Sequence, residues 1–331
     1  MIRSAPMVLC MALYLSGCAA VGDMGSSLKY NIQGEYYLYQ QDFKQGRETF
    51  RQAVQTDQNN PEAQYYYGRF LLADSEPRKA LPYLKEATVL DPNKSEYYFW
   101  LGVAYGDSGQ ESLERKSYTQ ALKIDPNNVQ ALTYMGNNHL RAKKYKEALE
   151  YYRMALDLSY DNPQALYNKA VALKKMRRVR EEKLALLDYI NAYPAGSFSR
   201  LATDRLNSLG DYTYRNHRLG FRTVTLAEIV FIPSSDKLSE TAYPSLDLVG
   251  ETVANMPDGA LNIVVYYLNN KDLAKQRAVS IRNYFIKHFP DLEKNKRIRI
   301  SWFASSERRV VLKKTLYVKK SVQFFLTDFK K

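Results

Sequence analysis

The stretch SEYYFWLGVAYGDSGQESLERKSYTQALKIDPNN, residues 95–128, decides the fold of the first two thirds of the chain. Its small residues at 102 and 121 recur along the chain at steps of 34 residues without a slip. The series are Gly34, Gly68, Gly102, Gly136 and Ala170; Ala53, Ala87, Ala121 and Ala155, ending in Tyr189; and Phe50, Leu84, Tyr118, Tyr152 and Leu186. A fixed period of this length predicts repeated helix hairpins, in which small residues mark the close approach of two helices.

Two tetrapeptides mark the ends of helices, LDPN at 90–93 and IDPN at 124–127, because proline cannot continue the helical hydrogen bonds. Period and residues together resemble the tetratricopeptide repeat (TPR), an all-α solenoid, and five repeats span residues 27–194. The fifth repeat departs most from the family, with Tyr189 at a small-residue position and Glu182 where Ala is usual. We expect the helix 197–209, within a capping and linker segment 195–221, to cover the exposed apolar end.

The resemblance implies a concave surface built from the first helix of each repeat, at its second, fifth, ninth and twelfth positions. Those positions give a mixed set: Glu35, Glu62, Tyr65, Arg69, Phe99, Val103, Thr133, Asn137, Tyr167 and Lys174. Interleaved aromatic, amide and charged groups suit an extended peptide, whose backbone needs hydrogen bonds and whose side chains need pockets. We therefore expect a protein partner in this groove, although its identity cannot be read from the sequence.

The N-terminus has the layout of a secretory signal over residues 1–17, with one positive charge before a short apolar run. The signal ends in Leu15-Ser16-Gly17-Cys18, which resembles a bacterial lipobox. That resemblance implies cleavage before Cys18, lipidation of its sulfur, and a tether over residues 18–26. Ala19 after the cysteine then favours the outer membrane, with the protein facing the periplasm. The other cysteine, Cys10, lies in the signal, so the mature chain has no disulfide.

The pattern changes after residue 221. Strands are predicted at 222–231, 261–268, 297–303 and 320–329, and helices at 239–256 and 272–289. This order predicts an α/β (α+β) sandwich over residues 222–331, with helices on one face of a mixed sheet.

The start of the second helix, Asn270-x-x-Leu273-Ala274-x-x-Arg277-Ala278, resembles the OmpA-like peptidoglycan-binding domain, in which Ser usually replaces Ala274. In that family the motif's Arg and an Asp after the second strand bind the diaminopimelate side chain of the wall peptide. Here the strand ends VVYYLNN and leads directly into the helix, so the Asp is absent. Arg277 alone can pair with a carboxylate but would not select a diamino acid.

Positive charge concentrates near the C-terminus. Residues 294–331 hold 12 Lys and Arg against 2 Asp and Glu, a net of +10. Such a surplus attracts anionic polymers in a salt-sensitive way, and wall carboxylates, lipid headgroups and lipopolysaccharide are candidates in the periplasm. The alternative is a solvated strand edge that discourages aggregation. Nucleic acid is not expected as a partner of a secreted chain.

Catalysis is not predicted. The three histidines, His139, His217 and His288, have no metal-ligand spacing, and the sequence has no phosphate-binding glycine loop. We expect no cofactor and no metal. Two functions remain open: a non-enzymatic outer-membrane lipoprotein whose array binds a protein while the last domain docks on peptidoglycan or another anionic envelope surface, or an assembly factor of a type IV or Tad pilus or secretion system, whose last domain makes protein contacts.

Overall fold

The computed structural model describes residues 25–327, and the predicted signal and lipidation site, Cys18, lie outside that range. Its residues fall into two compact units, and the boundary in the sequence lies between Tyr160 and Asp161. No helix within the described range is long and apolar enough to cross a bilayer.

The first unit consists of four helix hairpins in chain order. Its helices are α1 (25–39), α2 (Phe43–Thr56), α3 (Pro61–Ala73), α4 (Pro77–Leu90), α5 (Ser95–Asp107), α6 (Glu111–Ile124), α7 (Val129–Arg141) and α8 (Tyr145–Leu158). Each hairpin matches one predicted repeat.

The 34-residue period has a steric cause. A Cβ atom on Gly102 would lie 2.4 Å from the Tyr118 ring, and one on Gly136 would lie 2.6 Å from the Tyr152 ring. Gly68, Gly102 and Gly136 therefore each accommodate the large side chain of the second helix in the same hairpin, whereas Gly34 lies against Tyr66 of the next hairpin. The small and large series seen in the sequence are thus the two sides of one repeated contact.

The second unit begins with the fifth hairpin, α9 (Pro163–Lys175) and α10 (Val179–Ala192), followed by α11 (Ser199–Ser208) packed on α10. The remaining elements are β1 (Tyr214–Leu219), β2 (Arg222–Ala227), α12 (Tyr243–Ala254), β3 (Ala260–Tyr267), α13 (Lys271–His288), α14 (Pro290–Lys294), β4 (Ile298–Phe303), β5 (Glu307–Val311), β6 (Lys314–Val318) and β7 (Lys320–Thr327). The predicted fold class is confirmed at this level: helical repeats over α1–α10, then a mixed α/β region with small sheets.

The largest sheet has the order β4-β3-β7, with β3 parallel to β4 and antiparallel to β7. Two hairpins, β1–β2 and β5–β6, form separate two-stranded sheets. Apolar side chains of α12, α13, β3 and β7 meet in one core, for example Val249, Ile281, Ile263 and Phe324.

Three strands differ from the expectations. Strand β1 lies inside the segment expected to be a linker, and β5 and β6 lie between the strands predicted at 297–303 and 320–329. In β1 the inward side chains include Arg215 and His217, so the strand lacks the apolar alternation that would reveal it.

Candidate functional site

The predicted groove contains a cation held between two aromatic rings. The Arg69 guanidinium carbon lies 4.1 Å from the Trp100 ring centroid and 5.4 Å from that of Tyr65. Arg69 also donates a 2.9 Å hydrogen bond to the Tyr65 hydroxyl. Stacking and hydrogen bonding together fix the guanidinium at one position on the first helices of repeats two and three.

Carboxylates surround this cation. Glu35 lies 3.5 Å and Glu96 3.7 Å from the nearer guanidinium nitrogen, and the Tyr65 hydroxyl donates to Glu96. The Tyr66 hydroxyl donates to Glu35 at 2.8 Å. Burial raises the pKa of Tyr65 and of Tyr66, so both hydroxyls remain protonated donors. The side chains of Glu35 and Glu96 are 60% and 53% exposed, which leaves two carboxylates accessible at the rim.

Three buried polar atoms on α3 and α5 have no hydrogen-bond partner within residues 25–327. They are Oε2 of Glu62, Nε of Arg69 and Nε1 of Trp100. A buried donor or acceptor without a partner costs about 1–3 kcal/mol, so native structures rarely concentrate them. These two donors and one acceptor are therefore buried without a hydrogen bond on the same two helices as Arg69 and the exposed carboxylate of Glu96.

The other predicted groove residues divide into two groups. Tyr65, Phe99 and Thr133 are each 2% exposed and pack inside the repeats, while Val103 and Asn137 remain partly accessible. Oδ1 of Asn137 accepts a hydrogen bond from the Tyr152 hydroxyl at 2.8 Å. The buried aromatics therefore support the surface rather than form it.

In the fifth repeat, the ring of Tyr167 is stacked on Phe198 at 4.3 Å. That predicted groove position is therefore covered by the chain segment before α11, whereas Lys174 is exposed near the end of α9.

Sequence reasoning missed Glu96 and Trp100. Glu96 carried a signal, since it lies 34 residues after Glu62 at the same repeat position. Trp100 lies outside the positions assigned to the concave surface, so nothing in the repeat pattern indicated its role.

The OmpA-like motif residues of the second unit have clear local roles. Asn270 caps α13, because its side chain accepts a 2.9 Å hydrogen bond from the backbone N–H of Leu273. Leu273 is buried at the edge of the core.

Arg277 is 8% exposed and donates from Nε to the carbonyl of Ser235 at 3.0 Å. Its guanidinium carbon lies 4.4 Å from the Phe231 ring centroid and 4.9 Å from that of Tyr267. Burial lowers the pKa of Arg277, although a guanidinium stays charged in proteins. Within the described chain this cation forms no ion pair with a carboxylate.

A cavity of about 310 Å³ opens beside Arg277. Its charged lining consists of Arg277, Lys320 and the exposed Glu228, and its aromatic lining includes Phe231 and Tyr266. The ammonium of Lys320 lies 5.0 Å from the Tyr267 ring centroid. Two cations and one carboxylate around a small concave space suit an anionic group with a nearby positive charge.

The basic C-terminal residues do not all lie at the surface. Arg297 is 6% exposed and donates to the carbonyls of Gly259 and Val253. Arg309 donates to the carbonyl of Asn216 at 3.2 Å. Arg297 and Arg309 therefore use their positive charge in contacts within the fold, while Arg308, Lys313 and Lys319 are exposed.

The histidines are dispersed. His139 stacks on Tyr151 and His288 on Tyr284, and His217 accepts a hydrogen bond at Nδ1 from the Phe324 backbone N–H. The part of the chain that the structure describes contains no cluster of three or more His, Cys, Asp or Glu side chains that could hold a metal ion.

Comparison with known proteins agrees with the helical geometry. Residues 33–93, 95–128 and 129–162 match three family models, each described as a tetratricopeptide repeat. None of the three matches extends beyond residue 162.

Among curated proteins, the chain is 26% identical over 142 residues to anaphase-promoting complex subunit 3 of Schizosaccharomyces pombe, covering 43% of this chain and 21% of that protein. It is 31% identical over 105 residues to ycf37 of Pyropia yezoensis, covering 31% of this chain and 57% of that protein. The chain thus matches a fifth and just over half of the lengths of these relatives.

Among solved structures, PilF of Pseudomonas aeruginosa aligns with a TM-score of 0.52 at 16% identity, over 71% of this chain and 95% of that one. At this identity the likeness concerns the fold alone. Residues 33–162 are therefore tetratricopeptide repeats, and the chain is a TPR repeat protein over that range.

Proposed function

We propose that the helical array of this protein is a protein–protein interaction scaffold, as its tetratricopeptide repeats suggest. We propose that this protein is a non-enzymatic outer-membrane lipoprotein anchored through Cys18. Its array binds an extended segment of a partner protein, and its C-terminal domain docks on peptidoglycan or another anionic envelope surface. The observation that supports the groove is the cluster around Arg69, where an arginine held by aromatic rings lies beside the accessible carboxylates of Glu35 and Glu96.

In the proposed groove complex, the partner segment lies on the surface that Arg69, Glu35 and Glu96 form. Accessible Glu35 and Glu96 favour a segment with a basic side chain at that surface.

In the proposed wall contact, Arg277 supplies the anion-binding group. Its Nε is already bound to Ser235, which leaves the two terminal nitrogens for a bidentate pair with a carboxylate. Lys320 adds a second cation, and Glu228 offers a carboxylate to an ammonium group of the same wall peptide. Residues 268–270, which connect β3 to α13, include no acidic residue, so we do not propose selection of diaminopimelate in the family's usual way.

The groove is tested by photo-crosslinking in cells that make the protein. A benzophenone amino acid at Gln130, an exposed concave position on α7, should form an adduct with a partner protein. The same probe at Val89, 70% exposed on a second helix, is the matched control. We expect an adduct at Gln130 that Arg69→Glu abolishes and Arg47→Gln preserves. Equal adducts at both probe positions, or an adduct indifferent to Arg69, would contradict the groove assignment.

The assembly-factor function is favoured by one observation. Arg277 is already engaged by a backbone carbonyl and two rings, as a structural arginine would be. In that case the C-terminal domain binds a protein of the pilus or secretion system and does not bind the wall.

A further inference from the structure

The β5–β6 hairpin exposes apolar side chains on one face. Val310, Leu312 and Tyr317 are 64%, 55% and 67% exposed. Cross-strand pairing places Arg308 opposite Tyr317 and Val310 opposite Thr315, so these four side chains share the outward face. Leu312 lies in the connecting turn, at the tip.

The tip has an unfavourable backbone for its sequence. Leu312 and Lys313 connect the strands in two residues with φ of 47° and 64°. Two-residue hairpin turns with positive φ favour Asn-Gly, and a bulky residue in this region is strained. The turn is therefore strained, and the side chain of Leu312 is exposed to solvent.

The opposite face holds the hairpin in place. Glu307 pairs with Arg215 at 2.9 Å, with both side chains at most 2% exposed. Lys314 reaches the carbonyl of Ser208, and Arg309 that of Asn216. The base of the hairpin is therefore fixed, and its tip is presented on a supported element.

The sequence on both sides of the tip is strongly basic. Between residues 294 and 327 the sequence contains one acidic residue, Glu307, which is buried and paired. Exposed cations adjoin the apolar side chains at Arg308, Lys313 and Lys319.

We infer that this hairpin tip is a membrane-contact element, which inserts Val310, Leu312 and Tyr317 into the interfacial layer of a bilayer with anionic headgroups. Aliphatic, aromatic and cationic side chains together are typical of proteins that lie in that layer. A polar wall polymer would leave the aliphatic side chains uncovered. The hairpin face is also small against the roughly 20–30 residues a side of a stable protein interface. The inference depends on the proposed envelope location, and it adds a lipid contact separate from the lipid anchor.

The test is co-sedimentation of residues 19–331, which lack Cys18 and include every described element, with phosphatidylcholine vesicles and with vesicles containing phosphatidylglycerol. We expect binding to the anionic vesicles that weakens with salt.

Val310→Thr, Leu312→Asn and Tyr317→Thr combined should lower the partition coefficient at least about tenfold, since burial of one large apolar side chain is worth that factor or more. Leu312→Asn with Lys313→Gly is a fold-preserving variant, because Asn-Gly suits the turn, and it should bind less while unfolding at an equal or higher temperature. Val89→Thr with Tyr160→Thr removes two exposed apolar side chains elsewhere and should leave binding unchanged.

Absence of vesicle binding, or equal binding by the triple variant, would overturn the inference. The latter result would mean that cations alone attract the vesicles. The assay contains neither sacculi nor a partner segment, so its failure is distinguishable from failure of the wall or groove contacts.

Discussion

In the helical repeats the buried carboxylate of Glu114, 2% exposed, is fully paired: Asn138 donates to one oxygen and Arg141 to both. In the C-terminal region Glu307, 1% exposed, pairs with Arg215, and its other oxygen lies 3.4 Å from Nε of Arg309 without a hydrogen bond. Further nitrogens of Arg215 and Arg309 are also without partners among the described residues. At Glu114 both oxygens of the buried carboxylate accept hydrogen bonds, whereas at Glu307 only one does.

The sequence distances explain this difference. The partners of Glu114 lie 24 and 27 residues away, within one repeat period, so the same packing that builds the hairpins also places them. Arg215 and Glu307 are 92 residues apart and meet only when the whole region has folded. Contacts within a repeat can be satisfied in the same way each time the repeat recurs. Contacts between residues far apart in the sequence have to be satisfied separately at each site.

The largest effect is expected from Glu307→Gln. This change leaves Arg215 buried without a counter-charge, and loss of one member of a buried ion pair costs about 3–5 kcal/mol. Urea unfolding monitored by a probe in residues 161–327 measures the loss. The matched control replaces both partners, Arg215→Met with Glu307→Leu, and should cost much less. Equal losses in the two variants would mean that packing, not charge, dominates at this site.

A smaller, pH-dependent effect is expected from His217. Burial, with the nearby Arg309 and Arg215, lowers its pKa from 6.5 to about 3, and Phe324 donates to Nδ1 of the neutral ring. Between pH 6.5 and about 3, His217 is therefore protonated in the unfolded chain and neutral in the folded chain. Stability is fully present above pH 6.5 and falls as the pH drops towards 3.

His217→Asn keeps an acceptor for Phe324 but cannot titrate. Unfolding free energies at pH 7, 6 and 5 should decline less steeply for this variant than for the wild type. Parallel declines would show that other groups cause the acid sensitivity.

The smallest effect concerns helix caps in the repeats. Asn60 and Asn128 cap α3 and α7 by accepting from the third helical N–H, but Lys94, at the same repeat position before α5, makes no such bond. The backbone at Lys94 is already extended like that at Asn60. Lys94→Asn should therefore raise the free energy of unfolding by about 1 kcal/mol, and Asn128→Ala should lower it by a similar amount. Thermal unfolding of the two variants checks both signs, and a destabilised Lys94→Asn would refute the cap argument.

The repeats could be predicted from the sequence because Gly102 and Tyr118 record one contact that recurs every 34 residues. The β5–β6 hairpin could not be predicted in this way, since its Leu-Lys turn lacks the usual glycine signal. Strand β1 was hidden by inward-facing Arg215 and His217, whose burial depends on partners far along the chain.

The groove stays a prediction from the repeat positions. Of its predicted residues, Arg69 and Glu35 lie at one cluster with the buried Tyr65, whereas Phe99 is packed inside. Trp100 belongs to the cluster because its ring stacks on the Arg69 guanidinium. This contact joins two repeats, so the pattern within one repeat does not predict it. At the C-terminal motif, Asn270 and Leu273 proved to be a helix cap and a core residue, which leaves Arg277 to carry any binding.

The most direct test of envelope docking is co-sedimentation of residues 19–331 with purified sacculi across a salt series. Arg277→Gln is compared with Arg282→Gln, which removes a partly exposed arginine of the same helix that pairs with Glu293 at 2.6 Å. The proposed function predicts pelleting that survives moderate salt, falls about tenfold in Arg277→Gln and is unchanged in Arg282→Gln. Pelleting that ignores Arg277 and disappears with salt would reduce the contact to the basic surface, and no pelleting at all would contradict envelope docking and favour the assembly factor.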